Sequence, residues 1–362
     1  MPSITIDGKH LDVCAGTTIL GAAKRAGIRI PTLCFLRDTN AIGSCRMCSV
    51  EVEGESALVT ACNTPVRDGM VVTTDSKRVV DHRRVALELI LADHGLDSTN
   101  FCFSCDRNGA CELQSLCHEL GVTKPTFRAP REREPFIDSN PFLRYDPNLC
   151  IRCQRCVGAC NNRAHNHILQ TGRRGTRVTI LAPFGADWQT NTCESCGCCA
   201  HACPTGALTE KRRSAYRSWE VEKVRTTCPH CAVGCQLNLV VKDGRIVDAE
   251  AVDGPSNKGM LCVKGRSASF DFVDSPDRIR TPLIKNHATG EFEEASWDEA
   301  LDLVARRFSE IRNEHGGESI ALFACSRSTN EDVYLFQKMA RTAFKTNNVD
   351  SCARTTDRKS VV

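Results

Sequence analysis

Cysteine is the feature that most constrains this sequence, because 24 of its 362 residues are cysteines and they occur in groups. A chain of this length can bury a core without disulfides, and its start carries no secretory signal. We therefore expect a reducing, cytoplasmic location, in which disulfides do not persist and bound metal explains the thiols. The net charge of +3 and the lack of a long apolar run predict neither nucleic-acid binding nor a membrane span.

Residues 1–75 predict a small β-rich domain with one four-cysteine site. Asp7-Gly8 separates two short apolar segments and indicates a hairpin. The candidate ligands are Cys34, Cys45, Cys48 and Cys62. Three thiolates close together and one more distant are typical of a [2Fe–2S] ferredoxin site. A four-cysteine zinc site is the alternative, which we disfavour because zinc ribbons usually have two C-x2-C pairs and this segment has one.

Residues 76–137 predict a second iron–sulfur module, which begins with an amphipathic helix from Ser76 to Leu91. The cysteines that follow are Cys102, Cys105 and Cys111. They leave one position of a four-ligand [4Fe–4S] cluster open. His94 is the nearest upstream candidate for this position, and Cys117 is the alternative.

Residues 138–215 contain two copies of the bacterial ferredoxin run C-x2-C-x2-C-x3-C. In such runs the fourth cysteine of each copy binds the cluster of the other copy. One [4Fe–4S] cluster is therefore expected on Cys150, Cys153, Cys156 and Cys203. The other is expected on Cys193, Cys196, Cys199 and Cys160. Cys198 lies inside the second run but off the pattern, and Asn161 replaces the proline that follows the fourth cysteine in the second copy.

The last third of the sequence changes character. Residues 222–275 carry a fourth four-thiolate group, Cys228, Cys231, Cys235 and Cys262. From 276 onward, a capping box at Ser296 starts a predicted helix, an apolar run at 320–324 predicts a buried strand, and 333–344 predicts a second helix. Helix–strand–helix is the opening of an α/β domain. Five thiols remain outside the ligand sets: Cys14, Cys117, Cys198, Cys325 and Cys352.

Three features of the sequence carry a resemblance to a known family: the order of these modules, the motif Cys262-Val263-Lys264-Gly265-Arg266 and the stretch from Asn347 to Arg354. In these features the chain resembles the N-terminal part of the catalytic α subunit of NAD-linked, molybdenum- or tungsten-dependent formate dehydrogenases. The resemblance implies a multidomain α+β chain. Its parts are a β-grasp [2Fe–2S] domain, a one-His, three-Cys [4Fe–4S] module, a double [4Fe–4S] ferredoxin domain, and then a [4Fe–4S] domain that leads into a molybdopterin oxidoreductase α/β domain at 276–355.

In that family the lysine after the fourth cysteine lies between cluster and pterin, so the resemblance makes Lys264 a cofactor-binding relay residue. It also implies a Mo- or W-bis-molybdopterin guanine dinucleotide, formate and CO2 as substrate and product, and a flavin/iron–sulfur partner that reduces NAD. The absence of a glycine-rich nucleotide loop after any predicted strand agrees with NAD binding on that partner. Altogether one [2Fe–2S] and four [4Fe–4S] clusters are expected.

Two departures from the family pattern stand out. The spacing His94-x7-Cys102 is wider than the family's H-x3-C. The catalytic Cys or selenocysteine, followed by His, is expected where this chain has Thr356 and Asp357. We therefore interpret residues 356–362 as a foreign tail on a fragment. The alternative functions are the large iron–sulfur subunit of respiratory complex I, which normally keeps one ferredoxin-type cluster in the double-ferredoxin region, and an [FeFe]-hydrogenase, which lacks the fourth cysteine group.

Overall fold

The computed structural model describes residues 1–94, 99–127, 134–182, 192–267 and 270–352, except the side chains of 99–101 and 176. The expectations for Arg354, Thr356, Asp357 and the tail lie outside these residues. The chain forms two compact units. The first comprises Met1–Val224, Asn238–Ala251 and Met260–Ala268, and the second comprises Arg225–Leu237, Val252–Gly259 and Ser269–Val362.

Short strands and helices alternate along the chain, as the mixed sequence pattern predicts. The strands are β1 Ser3–Ile6, β2 Lys9–Asp12, β3 Ser49–Val52, β4 Val59–Thr60, β5 Met70–Thr73, β6 Leu143–Tyr145, β7 Gln170–Gly172, β8 Thr179–Leu181, β9 Leu208–Glu210, β10 Glu222–Thr227, β11 Gln236–Lys242, β12 Arg245–Ala251, β13 Leu283–Lys285, β14 Phe292–Glu294, β15 Leu322–Ala324 and β16 Val349–Ser351. The α-helices are α1 Ile19–Arg25, α2 Lys77–Asp93, α3 Glu112–Leu120, α4 Arg155–Gly158, α5 Cys198–Ala202, α6 Val263–Arg266, α7 Trp297–His315 and α8 Asn330–Met339. Single 3-10 or π turns extend or connect them at Thr99–Ser104, Pro147–Leu149, Ala159–Arg163, Gly175–Arg177, Lys211–Ala215, Asp271–Asp274, Gly317–Ser319 and Ala340–Phe344.

The N-terminal sheet has the strand order β2-β1-β5-β3-β4. The predicted hairpin is confirmed: β1 and β2 pair antiparallel, and Asp7 (φ 47°) and Gly8 (φ 80°) make the turn. β5 pairs parallel with β1, and α1 covers the apolar face. Ile4, Ile6 and Ile19 are completely buried there, so this domain has a core of its own beside its cysteines.

The double-ferredoxin region is built on two small two-stranded antiparallel sheets, β6 with β9, which are distant in sequence, and β7 with β8. The short helices α4 and α5 each begin inside a cysteine run. The cysteine side chains belong to the same buried cluster as the aliphatic residues of the strands. The core of this region is therefore made largely of the predicted ligands.

The C-terminal helix–strand–helix pattern is confirmed in the second unit. Ser296 forms the predicted capping box with Glu299, and α7 ends at His315, with Gly316 as its C-cap. β15 pairs parallel with β16, and α8 follows β15. The prediction of a buried strand at 320–324 holds for Leu322 but was wrong for Phe323, which is 74% exposed, because the sheet has two strands and β15 buries one face.

Among the described residues, no helix combines the length and apolarity that a membrane crossing requires.

Candidate iron–sulfur sites

The four cysteines of the first site lie in the loop between α1 and β3 and at the end of β4. All four are buried. The Cys45 thiol donates a hydrogen bond to the Cys34 sulfur, and the Cys48 thiol donates one to the Cys62 sulfur. The bond from Cys45 lowers the pKa of Cys34 to about 5, and the bond from Cys48 lowers the pKa of Cys62. The structure therefore brings together all four predicted ligands.

The loop around Gly43 aims backbone N–H groups at these sulfurs. The amides of Ser44 and Cys45 donate to Cys34, and the amide of Gly43 donates to Cys62. Gly43 has a φ of 66°, and a Cβ there would lie 2.9 Å from the Asn63 side-chain nitrogen. A glycine is required because the loop must pass this close to its neighbours. N–H donors around a group of thiolates fit an iron–sulfur cluster, whose potential they help to set.

The second module places its predicted residues at the end of α2 and around α3. Cys111 is buried, whereas Cys102 and Cys105 are half-buried. Burial raises the pKa of Cys111 to about 12. His94 ends α2 and is buried. Cys117, on α3, is also buried and lies close enough to Cys102 for their charges to interact. Both candidates for the fourth ligand therefore remain.

The two ferredoxin runs line two separate cavities. The first cavity is lined by Cys150, Cys153, Cys156 and Cys203. The second is lined by Cys160, Cys193, Cys196 and Cys199, and also by the off-pattern Cys198. Each cavity thus contains three patterned cysteines of one run and the fourth cysteine of the other, as the spacing predicts, and the second cavity contains Cys198 in addition.

Burial destabilises the charged thiolate form of the cysteines in these cavities when no metal is bound. It raises the pKa of Cys156 and of Cys199 far above the usual range of a thiol. A thiolate there needs the positive charge of bound iron, which replaces the proton. The donor set, the burial and the cavities therefore fit iron–sulfur clusters.

Within the described ranges, no three Cys, His, Asp or Glu side chains are grouped so that they could hold a single metal ion. A mononuclear site needs its donors around one atom, about 2.3 Å from it for thiolates on zinc. In a [4Fe–4S] cluster each thiolate binds a different iron, so the sulfurs stand further apart.

In the first unit, three of the cysteine groups contribute to the same buried core. One packed cluster contains Cys34 and Cys45 of the first site, Cys111 of the second and Cys153 of the first ferredoxin run. The Asn40 amide donates to the backbone oxygens of both Cys34 (2.8 Å) and Cys153 (3.1 Å). The first three groups therefore border one continuous core.

The second module also packs against the end of the second ferredoxin run. The Cys111 thiol donates to the Pro204 oxygen at 3.5 Å, and Arg107 donates to the Cys203 oxygen at 3.1 Å. A Cβ on Gly206 would collide with the Cys105 sulfur, so glycine allows this approach. Nothing in the local spacing of either group predicts this contact.

The fourth cysteine group is more open than the others. Cys228 is buried and its amide donates to the Cys235 oxygen at 2.8 Å. Cys235 is half-buried and Cys231 is exposed. Cys262 is exposed and immediately precedes α6, on which Lys264 is exposed. The role of Lys264 beside a pterin stays a prediction.

Arg266, the last residue of the Lys264 motif, has a different position. Its guanidinium donates to the Cys196 oxygen (3.2 Å) and to Glu210 (2.9 Å), and its side chain is 2% exposed. It lies so close to Gly197 that a Cβ on that residue would collide with it. The motif thus supplies a buried cation to the second ferredoxin run.

Two polar side chains at the ferredoxin cysteines were missed by the sequence reasoning. The Tyr145 hydroxyl donates a hydrogen bond to the Cys150 sulfur, and the Asn140 amide lies 3.9 Å from the Cys193 sulfur. Both side chains are 1% exposed. Their nearness to a cysteine run was the only available signal, and spacing alone does not tell which way a side chain points.

With this geometry established, five family models match the chain in the predicted order. They are a 2Fe-2S iron-sulfur cluster binding domain at 2–77, the NADH-ubiquinone oxidoreductase-G iron-sulfur binding region at 83–126 and a 4Fe-4S dicluster domain at 149–207. The molybdopterin oxidoreductase Fe4S4 domain matches 221–273, and the molybdopterin oxidoreductase domain matches 278–360.

The chain carries the iron–sulfur and molybdopterin domains of molybdopterin oxidoreductases together with an NADH-G-type iron–sulfur region. It is 40% identical over 355 residues to the NADPH-Fe(3+) oxidoreductase subunit alpha of Geobacter sulfurreducens (98% of this chain, 40% of that protein). It is 37% identical over 358 residues to a G-type subunit of the NADH-quinone oxidoreductase of Rhizobium meliloti (98% and 40%). It is 32% identical over 392 residues to a Staphylococcus aureus protein provisionally named a formate dehydrogenase (97% and 39%).

A solved structure extends the likeness. A chain of an NAD+-reducing [NiFe]-hydrogenase in the H2-reduced state superposes with a TM-score of 0.53 at 32% identity, covering 58% of this chain and 87% of that one. The chain spans about 40% of the length of the curated relatives it matches. The iron–sulfur, molybdopterin and oxidoreductase predictions are confirmed at the level of the family.

Proposed function

We propose that this chain is the iron–sulfur electron-transfer part of a formate dehydrogenase α subunit. It would carry electrons one at a time between a Mo or W bis-pterin site that oxidises formate to CO2 and an NAD-reducing flavin/iron–sulfur partner in the cytoplasm. The continuity of the cysteine groups in the first unit is the observation that carries the proposal. Clusters whose ligands border one core suit electron transfer, because thiolate-bound iron changes charge with little rearrangement.

The proposed ligand sets follow the cysteine spacing and the family resemblance. The [2Fe–2S] cluster is assigned to Cys34, Cys45, Cys48 and Cys62. Four [4Fe–4S] clusters are assigned to His94 with Cys102, Cys105 and Cys111, to the two cavity sets of the ferredoxin region, and to Cys228, Cys231, Cys235 and Cys262. Lys264 would lie between the last cluster and the pterin. The metal chemistry belongs to the cofactor, and the role of these residues is to hold the clusters and set their potentials.

A second candidate is an electron-transfer subunit related to the large iron–sulfur subunit of complex I. The match at 83–126 and the NADH-quinone oxidoreductase relative support it as strongly as the provisionally named relative supports formate dehydrogenase. The NADPH-Fe(3+) oxidoreductase relative supports a nicotinamide-linked partner in either case. The double ferredoxin run favours the first candidate, since complex I normally keeps one such cluster there.

The cluster assignment is tested by anaerobic expression of the chain, followed by iron and sulfide analysis and EPR of the reduced protein. We expect one [2Fe–2S] signal and overlapping [4Fe–4S] signals. A [2Fe–2S] signal alone would contradict the architecture. Formate-dependent dye reduction by the 362 residues alone would contradict the proposal that they serve only in electron transfer.

The substrate is tested separately, by reading the genomic DNA beyond the Arg354 codon. A Cys codon or UGA followed by a His codon supports formate dehydrogenase, because those two residues bind the metal and assist at the active site in that family. Any other pair of codons supports the complex I-like candidate.

A further inference from the structure

Two thiols left over by the cluster assignments lie side by side in the second unit. β15 and β16 pair parallel with Ala324 opposite Ser351, so Cys325 and Cys352 follow at the same ends of neighbouring strands. Neighbouring strands stand about 4.8 Å apart. That separation lies within the Cα–Cα range of about 4.4–6.8 Å that a disulfide spans. The two thiols are also within hydrogen-bonding reach of each other.

The turn that begins at Cys325 surrounds both sulfurs with donors. The amide and the hydroxyl of Ser326 each lie 3.4 Å from the Cys352 sulfur, and the amide of Arg327 donates to the Cys325 sulfur at 3.5 Å. The same turn leads into α8, whose N-cap is Thr329. Two amides and a hydroxyl thus converge on a pair of sulfurs. Such donors stabilise a thiolate, and those of Ser326 lower the pKa of Cys352.

Exposure distinguishes this pair from the cluster ligands of the ferredoxin region. The side chains of Cys325 and Cys352 are both exposed. A small reagent can therefore reach either sulfur. Cys14, another exposed thiol, provides a comparison within the same chain.

We propose that Cys325 and Cys352 form a redox-active dithiol that is converted to a disulfide by exchange with low-molecular-weight disulfides. The Cys352 thiolate attacks one sulfur of the small disulfide and breaks its S–S bond, which releases one small thiolate that takes up a proton. The Cys325 thiol then loses its proton and attacks the Cys352 sulfur, and the second small thiol leaves. The protein pair loses two electrons and two protons, and the small disulfide gains both as two thiols.

The experiment uses the anaerobically purified chain with its clusters and glutathione disulfide as the probe. The chain is incubated in buffers of graded glutathione/glutathione disulfide ratio, quenched with acid, alkylated and mapped by mass spectrometry. As the buffer becomes more oxidising, we expect a single transition in which Cys325 and Cys352 are converted together into a disulfide-linked pair of peptides. Cys14 should form only a mixed disulfide, and the visible absorption of the clusters should stay constant.

Single variants identify the attacking sulfur. In Cys325→Ser the reaction should stop at a glutathione adduct on Cys352. In Cys352→Ser the glutathionylation rate of Cys325 should fall at least tenfold below that of Cys352 in the parent. Ser326→Ala should slow alkylation of Cys352 at neutral pH by several-fold, with Cys14 unchanged. All three positions are exposed, and far-UV circular dichroism verifies the fold of each variant.

The proposal fails if Cys325 and Cys352 each collect separate glutathione adducts in the parent chain. It also fails if the linked peptide appears only together with loss of the cluster absorption, since that result indicates scrambling by released cysteines.

Discussion

The two ferredoxin runs have the same backbone and different surroundings. The residues on either side of the second cysteine are left-handed in both runs: Arg152 and Gln154 in the first, Ser195 and Gly197 in the second. In both runs the residue two positions after the first cysteine donates its amide to that cysteine's sulfur. The same holds for the second cysteine of each run. The repeated spacing therefore fixes the repeated loop and its N–H···S bonds.

The side chains that surround the two runs come from elsewhere in the chain and differ. The first run receives the Tyr145 hydroxyl. The second receives the Asn140 and Asn166 amides (3.9 and 4.0 Å from sulfur) and the buried Arg266. Its cavity also contains Cys160 of the first run, whose sulfur accepts from the Ile168 amide at 3.3 Å. More donors and a nearby cation stabilise the more negative, reduced cluster. We expect the cluster of the second run to have the higher reduction potential.

The largest expected effect tests which cysteines are ligands. Cys199→Ala should remove one [4Fe–4S] cluster, about four irons per chain, because a buried ligand position is left empty. Iron analysis and EPR measure the loss. Cys198→Ala, at the adjacent and equally buried off-pattern position, is the matched control and should keep the full iron content. Iron loss in Cys198→Ala but not in Cys199→Ala would reverse the assignment.

A large effect on stability is expected for the buried ion pair of the second run. Arg266→Met leaves Glu210, whose side chain is 13% exposed, without its cation, and should lower the free energy of unfolding by about 3 kcal/mol. Anaerobic urea denaturation measures this change. The corresponding pair beside the first run, Arg155 with Glu112, is more exposed (12% and 45%), so Arg155→Met should cost below about 1 kcal/mol. Equal decreases in the free energy of unfolding for Arg266→Met and Arg155→Met would contradict the effect expected from the difference in burial.

Tyr145→Phe tests the tuning of the first run. It removes one hydrogen bond to the Cys150 sulfur, worth about 1 kcal/mol, so the potential of that cluster should fall by about 40 mV for one electron. EPR-monitored redox titration should show the potential of the second run unchanged. Tyr216→Phe is the control, because the Tyr216 hydroxyl donates to Asp248 at 2.7 Å and not to a cysteine. A shift of both clusters by Tyr145→Phe would show that the effect is not local.

The smallest effect concerns pH and the surroundings of the second run. Asp248 interacts with the Arg266–Glu210 pair, and burial, with the charge of Glu210, raises its pKa to about 6. The folded chain therefore holds this proton more tightly than the unfolded chain. The stabilisation is full below the unfolded pKa of about 4 and is lost as the pH rises through 6. From pH 5 to pH 7 the parent should lose about 1 kcal/mol of unfolding free energy relative to Asp248→Asn, measured by denaturation at each pH. An identical pH profile in the two proteins would refute the raised pKa.

Much of the site could be predicted from the sequence because cluster ligands are encoded in short spacings. Two local features, the hairpin at Asp7-Gly8 and the capping box at Ser296, depend on residues a few positions apart. The cysteine sets of the two ferredoxin cavities follow from a known sequence run, in which the fourth cysteine of each copy lies at the cluster of the other copy. The fourth ligand of the second module was not fixed, because His94 and Cys117 are both buried near the end of helices and neither belongs to a repeated pattern.

The sequence by itself determined the number and order of the cysteine groups and the backbone that each run adopts, since these follow from local geometry. Only the tertiary structure decided which groups touch, that Tyr145 and Arg266 reach the cysteine runs, and that Cys325 and Cys352 stand side by side. The physical reason is separation along the chain. Contacts such as Arg266 with Cys196 join residues 70 positions apart, and the path of the backbone between them, set by burial of the whole core, determines whether they meet.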